Sequence, residues 1–142
     1  MQKKSQEKIV LDAWALLAFI FGEEPAAKTV RDIFKQESLS KSLVNISWIN
    51  LGEVYYTIAR RKGQDVAEEV LNDLKMLPVT LHEPSKADIL AAARIKSRHN
   101  LSYADAFAVS LAQEINGKIF TGDPEIILLT RFVKVEKLSR TV

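Results

Sequence analysis

Short apolar runs alternate with longer amphipathic stretches along the chain. The first run, Ile9-Val10-Leu11, is continuous and rich in β-branched residues, as expected of a strand that is buried on both faces of a sheet. Similar short runs recur further along. We predict strands at residues 8–11, 43–47, 79–81, 118–120 and 133–135.

The segments between these runs carry helix signals, and we predict helices at residues 13–21, 25–37, 48–62, 65–76, 86–98, 103–116 and 124–130. Pro25 is expected at the first position of its helix, where a missing N–H is harmless. Gly63 is expected to end a helix whose last turn is cationic. Strands separated by helices predict an α/β fold, with a parallel sheet that is covered on both faces.

Four acidic residues stand where an apolar segment passes into a helix, or within the helix itself. They are Asp12 after the first strand, Glu53 inside the third helix, Asp105 in the first turn of a strongly apolar helix, and Asp123 after the fourth strand. Right-handed crossovers place the C-terminal ends of parallel strands at one edge of the sheet, where ligands bind. Acids that are distant in sequence could therefore form a single pocket.

Helix capping is a competing explanation for three of these acids. Asp is a favoured N-cap, worth about 1 kcal/mol relative to Ala, and both Asp12 and Asp123 precede predicted helices. Residues 102–105 (Ser-Tyr-Ala-Asp) approximate a capping box. Residues 85–88 (Ser-Lys-Ala-Asp) have the same spacing at another helix, and we assign Asp88 no chemistry.

Glu53 lies too far inside its helix to be a cap. Because it shares a helix face with Ile49, Tyr56 and Arg60, its carboxylate either forms a rim pair with Arg60 or points into a pocket. Convergence of all four acids would be costly, since two carboxylates ~4 Å apart repel by about 4 kcal/mol at a surface-like dielectric. A cation would offset that repulsion, and ligands that are all oxygen select a hard ion such as Mg²⁺ or Mn²⁺.

Composition narrows the possible protein classes. The chain has 142 residues, 47% of them hydrophobic and 27% charged, which predicts one domain over residues 1–142 with a flexible extension at residues 1–7. The lack of Cys excludes disulfides, thiolate zinc sites and a cysteine nucleophile, and fits a cytoplasmic protein. The longest apolar run, residues 13–21, is too short to span a membrane. The net charge of +2 does not by itself argue for nucleic-acid binding.

Four short segments follow one another in a distinctive order. They are Ile9-Val10-Leu11-Asp12, Asn50-Leu51-Gly52-Glu53, Leu101-Ser102-Tyr103-Ala104-Asp105-Ala106 and Thr121-Gly122-Asp123. Together they resemble the PIN domain family, especially its VapC-like toxin ribonucleases. The resemblance implies a PIN-like three-layer α/β/α fold with a five-stranded parallel sheet. One departure is Ala13-Trp14, where many relatives have a hydroxyl residue directly after the first Asp.

The resemblance implies a metal-dependent endoribonuclease that hydrolyses RNA phosphodiester bonds as the toxin of a toxin–antitoxin pair. Its catalytic and Mg²⁺- or Mn²⁺-binding residues would be Asp12, Glu53, Asp105 and Asp123, with Asn50 and Thr121 in supporting positions. A small antitoxin protein would be the partner, and the protein would form a homodimer.

Basic residues at helix ends are candidates for holding an RNA backbone. They are Arg60, Arg61, Arg94 and Arg98, although solvated helix ends explain each of them equally simply. Two alternative functions are left open: a non-catalytic binding or regulatory module of the same fold, and a PIN nuclease that acts on DNA or in RNA processing.

Overall fold

The computed structural model describes residues 7–37 and 43–141. Its strands are β1 (Ile9–Leu11), β2 (Val44–Ser47), β3 (Thr80–His82), β4 (Lys118–Thr121) and β5 (Lys134–Lys137). Its helices are α1 (Ala13–Ile20), α2 (Ala26–Glu37), α3 (Trp48–Lys62), α4 (Gln64–Lys75), α5 (Lys86–Arg98), α6 (Tyr103–Glu114) and α7 (Pro124–Ile127). All the strands pair in parallel in the order β3-β2-β1-β4-β5, which confirms the predicted five-stranded parallel sheet.

The strand order reverses its direction between β1 and β4. The chain moves outward from β1 through β2 to β3, then crosses back to β4 and moves outward again to β5. In open α/β sheets such a reversal leaves a crevice at the C-terminal ends of the two neighbouring strands, and ligands bind there. Asp12 directly follows β1 and Thr121 ends β4, so both residues lie at this point.

Apolar side chains on both faces of the sheet hold the helices in place. Leu11 of β1 packs with Val44 and Ile46 of β2 against helices α1 to α4. Val10 of β1 and Ile119 of β4 pack in a second cluster with helices α5 to α7. All five side chains are 0% exposed, so the central strands are buried on both faces, as predicted.

The predicted end of α3 is confirmed at Gly63. This residue has a φ of +96°, and its N–H donates to the carbonyl of Ala59 at 3.0 Å. Glycine adopts this backbone conformation without the steric cost that a Cβ atom would bring. In the part of the chain that the structure describes, no helix combines the length and apolar character needed to cross a membrane.

Several boundaries differ by one to three residues from the predicted ones, the largest difference being the end of α7 at Ile127. Two of these differences have identifiable reasons. Pro25 is outside α2, because the backbone around it pairs with the C-terminal segment through an antiparallel bridge to Arg140. The last strand begins at Lys134, because the N–H of Val133 donates to the carbonyl of Leu129 at 3.0 Å and so belongs to the turn that follows α7. Of the predicted N-terminal extension at residues 1–7, residues 1–6 lie outside the described residues.

Candidate metal centre

Asp12 is fully buried where β1 passes into α1. Its Oδ1 atom caps α1 by accepting a hydrogen bond from the N–H of Ala15 at 2.9 Å. Its Oδ2 atom accepts from the hydroxyl of Thr121, which lies 109 residues later in the chain. Neither Ala13 nor Trp14, the two residues that follow Asp12, has a hydroxyl group. Thr121 therefore supplies the hydroxyl group that contacts Asp12.

Thr121 also connects Asp12 to the turn that carries the fourth acid. The Oγ1 atom of Thr121 accepts a hydrogen bond from the N–H of Asp123 at 2.9 Å. Asp123 in turn caps α7, because its Oδ1 atom accepts from the N–H of Glu125 at 2.8 Å. A single threonine thus fixes both acids at the C-terminal ends of the two neighbouring strands.

Asp105 enters the site from the first turn of α6. It is 6% exposed, and its N–H donates to the hydroxyl of Ser102, the N-cap residue, at 3.1 Å. Asp105, Asp123 and Glu125 each offer a carboxylate oxygen, and these three oxygens lie within 4.8 Å of one another. Glu125 is absent from the sequence-based prediction. The sequence signal was weak, because an acidic residue in a first helical turn is ordinarily explained by the helix dipole.

Two buried oxygens on α3 face this site without a hydrogen-bond partner. They are Oδ1 of Asn50 and Oε1 of Glu53, for which no partner exists among the described residues. Asn50 itself is anchored, because its Nδ2 group donates to the carbonyl of Ala104 at 3.1 Å and so ties α3 to α6. Buried polar atoms are nearly always paired, so two orphaned oxygens beside an acidic cluster indicate room for an ion or water.

The alternative pairing of Glu53 with Arg60 is not present in the described part of the chain. The guanidinium group of Arg60 instead lies over the ring of Tyr56, 5.1 Å from its centroid. This contact leaves the carboxylate of Glu53 available to the acidic site.

Burial and mutual repulsion shift the protonation of three of the acids. Burial raises the pKa of Asp12 to about 7, although hydrogen bonds from Thr121 and Ala15 oppose the shift. Burial and the negative charge of Asp123 raise the pKa of Asp105 to about 8. The same two causes raise the pKa of Glu53.

The donor set of this cluster fits a hard divalent cation. All the converging side chains offer oxygen, which Mg²⁺ and Mn²⁺ prefer. No positively charged side chain is among the causes that shift the pKa of Asp12, Glu53 or Asp105 in the described structure. Ionising all of these acids together is therefore unfavourable on its own, and a bound cation would favour their ionised form.

The four candidate arginines lie outside this cluster, and none pairs with its acids among the described residues. Arg60 is seven residues after Glu53, on the same face of α3 and about 10 Å further along the helix. Arg61 lies over the ring of Phe21 at 5.1 Å. Arg94 and Arg98 are exposed on α5.

The family model of the PIN domain matches residues 9–131, a span that includes every acid of the cluster. The chain belongs to the PIN domain family. The resemblance found in the four sequence segments is thereby confirmed. No curated protein sequence matches the chain.

Solved structures with the fold of this PIN domain include toxins and toxin–antitoxin complexes. The DNA-bound VapBC of Salmonella typhimurium has a TM-score of 0.71 at 13% identity, over 93% of this chain and 98% of that one. VapC20 of Mycobacterium tuberculosis, a toxin that cleaves the sarcin–ricin loop, has a TM-score of 0.70 at 17% identity, over 85% and 94%. A toxin–antitoxin complex from Klebsiella pneumoniae has a TM-score of 0.66 at 13% identity, over 94% and 100%. At these identities the likeness shows the fold, and the predicted PIN-like architecture is confirmed.

Proposed function

We propose that this PIN domain protein is a divalent-metal-dependent endoribonuclease and the toxin of a toxin–antitoxin pair. The observation that carries the proposal is the convergence of acids from four separate segments at the switch point of the sheet. Burial and the negative charge of neighbouring acids raise the pKa values of Asp12, Glu53 and Asp105, and no positively charged side chain is among the causes of these shifts in the described structure. Such a cluster is expensive for a protein to maintain unless it holds a cation.

The cation, Mg²⁺ or Mn²⁺, would be held by Asp105 and Asp123 together with Glu125, whose oxygens lie within 4.8 Å of one another. Asp12 and Glu53 would complete the cage, directly or through water. When bound, the ion supplies stabilisation of the negative charge that develops on the phosphate and on the leaving oxygen.

The protein's own groups would position the attacking water and the ligands. The unpartnered Oε1 atom of Glu53 can accept a hydrogen bond from a water and orient it in line with the scissile bond. Asn50, through its bond to Ala104, fixes α3 against α6 and hence Glu53 relative to Asp105. Thr121 fixes the carboxylate of Asp12. No covalent intermediate is needed for this hydrolysis.

RNA as the substrate and an antitoxin as the partner are supported by structural relatives. VapC20 is described as cleaving the sarcin–ricin loop, and several matching structures are toxin–antitoxin complexes. We propose that the exposed arginines of α3 and α5 contact the RNA backbone, and that the protein acts as a cytoplasmic homodimer. Arg60 is the best placed of them, because it shares a helix face with Glu53.

Cleavage of a structured RNA, with Mn²⁺ or Mg²⁺ and with or without EDTA, tests the proposal. We expect metal-dependent cleavage by the wild type and a loss of about 100-fold or more in Asp12→Asn, because the metal supplies several kcal/mol of transition-state stabilisation. Asp88→Asn is the matched control and should cleave normally. Metal-independent cleavage, or full activity of Asp12→Asn, would refute the mechanism. Cleavage of DNA in place of RNA would favour the alternative substrate, and metal binding without any cleavage would favour a binding module.

A further inference from the structure

The indole ring of Trp14 packs against Gly122, in the middle of the turn that carries Thr121 and Asp123. A Cβ atom built on Gly122 would lie 2.5 Å from Cε2 of Trp14 and closer still to Cζ2 and Cη2. The backbone of Gly122 does not have a positive φ, so an alanine would be acceptable to the backbone there. Glycine is therefore required at this position because a side chain would clash with the indole ring, and not because of the backbone conformation.

The indole also contacts the C-terminal segment, residues 138–141. The guanidinium group of Arg140 lies 5.1 Å from the centre of the Trp14 ring and forms an ion pair with Glu23 at 2.8 Å. Backbone hydrogen bonds attach this segment to the start of α2: Ala26 N–H to Ser139 O at 3.0 Å, and Thr141 N–H to Glu24 O at 2.9 Å. Trp14 thus contacts both the C-terminal segment and the turn.

The same segment also holds the turn directly. The N–H of Leu138 donates to the carbonyl of Thr121 at 2.8 Å, and the Leu138 side chain is buried in the core. Thr121 must keep its position for its hydroxyl to donate to Asp12 and accept from Asp123 at once. The turn is therefore restrained through its backbone by Leu138 and through contact by Trp14.

We propose that Trp14 is a positioning residue of the acidic site. With the C-terminal segment it presses on Gly122 and holds the turn so that Thr121 orients Asp12 and Asp123 faces Asp105. The consequence for metal binding rests on the proposed function, whereas the positioning itself does not.

A matched pair of glycine substitutions tests this role. Gly122 and Gly52 each directly precede an acid of the cluster, but a Cβ atom on Gly52 would meet nothing within 4 Å. We expect Gly122→Ala to weaken Mn²⁺ binding by roughly 10- to 100-fold, the usual effect of disturbing groups that orient metal ligands. Gly52→Ala should bind Mn²⁺ as the wild type does. Calorimetric titration gives both affinities.

Two further measurements separate positioning from a loss of folding. Amide exchange followed by NMR should show lost protection at Asp123, whose N–H bonds to Thr121, while Val10 in the central strand stays protected. In a Trp14→Ala background, Gly122→Ala should have no further effect on Mn²⁺ affinity, because the atoms it would clash with are gone.

Wild-type affinity and wild-type protection at Asp123 in Gly122→Ala would overturn the proposal. An equal loss in the Trp14→Ala background would overturn it as well. If the wild type itself failed to bind Mn²⁺, the proposed function would fail, and the protection of Asp123 would still decide whether Trp14 positions the turn.

Discussion

Helices α5 and α6 begin with the same serine-to-aspartate spacing, yet the two aspartates end up in opposite environments. At α5, Ser85 and Asp88 form a complete capping box, with reciprocal hydrogen bonds of 3.1 and 2.8 Å. At α6, Ser102 accepts from the N–H of Asp105 in the same way. The pKa of Asp88 is lowered, chiefly by the backbone hydrogen bond from Ser85, whereas burial and the charge of Asp123 raise the pKa of Asp105 to about 8.

The difference comes from where each helix starts and not from its first four residues. The α5 terminus follows β3 at the edge of the sheet, where the carboxylate of Asp88 accepts from the N–H of Ser85 and lies near Glu114 and His82. The α6 terminus lies at the switch point between β1 and β4, beside the carboxylates of Asp12 and Asp123. A capping motif thus builds both helices, and the topology of the sheet makes one of the two carboxylates a candidate ligand.

The largest difference between Asp105→Asn and Asp88→Asn is expected in catalytic activity. Asn can replace Asp in helix capping with little loss, so neither Asp105→Asn nor Asp88→Asn should unfold the protein. We expect Asp105→Asn to lower RNA cleavage with Mn²⁺ by about 100-fold or more, because one ligand charge is lost. Asp88→Asn should keep wild-type activity. Equal losses in the two variants would show that capping, and not ligation, explains Asp105.

The next largest difference between Asp105→Asn and Asp88→Asn is expected in the way the free energy of unfolding depends on pH. When folding raises the pKa of a group, the folded protein holds a proton that the unfolded chain has already lost. The contribution of that group to the free energy of unfolding therefore falls as pH rises from about 4 to the pKa of the folded protein. In EDTA, Asp105→Asn should therefore gain stability relative to the wild type between pH 5 and pH 8. The lowered pKa of Asp88 acts only below about pH 4, so Asp88→Asn should not show the gain of stability expected for Asp105→Asn in this window.

Urea denaturation at several pH values measures this difference. Comparing Asp105→Asn with the wild type largely removes the contribution of His82, whose pKa is lowered by burial. In Asp88→Asn the charge of Asp88, which opposes this lowering, is lost, so a small difference that comes from His82 is expected in that variant. A stability difference for Asp105→Asn that stays constant across the window would contradict the raised pKa of Asp105.

The smallest effect is expected from the serine caps, the feature in which α5 and α6 are alike. Ser85 and Ser102 both accept a hydrogen bond from the N–H three residues later. Replacing either by Ala should lower the free energy of unfolding by about 1 kcal/mol. Thermal or urea denaturation of the metal-free protein measures it. A far larger loss of stability in Ser102→Ala than in Ser85→Ala would mean that the two caps themselves differ, and not only the residues around them.

Much of the fold could be predicted because local sequence determines it. The apolar run of β1 and the cationic helix end before Gly63 have local causes, and the structure contains both. The edge strand β5 was placed one residue too early, since its side chains are largely exposed and its apolar pattern is weak. Strand order has no local signal, so the switch point between β1 and β4 emerges only from the structure.

The aspartates of the candidate site were predictable because they adjoin strand and helix ends, and Glu53 was predictable because it shares a face of its helix with apolar residues. Glu125 was missed because it looks like an ordinary first-turn acid, although its oxygen lies beside those of Asp105 and Asp123. The contact of Trp14 with Gly122 joins residues more than a hundred positions apart, and no periodicity in the sequence encodes it. The bridge between Pro25 and Arg140 escaped prediction for the same reason.

Direct titration with Mn²⁺ tests the central claim, that the converging acids form a cation site. The wild type, Asp105→Asn and Asp88→Asn would be titrated by calorimetry at pH 8. At this pH Asp12, with a pKa of about 7, is largely ionised, and Asp105, with a pKa of about 8, is ionised in about half of the molecules. We predict that the wild type and Asp88→Asn bind Mn²⁺ with the same affinity, and that Asp105→Asn shows no comparable binding. Unchanged binding in Asp105→Asn, or no binding by the wild type, would contradict the claim.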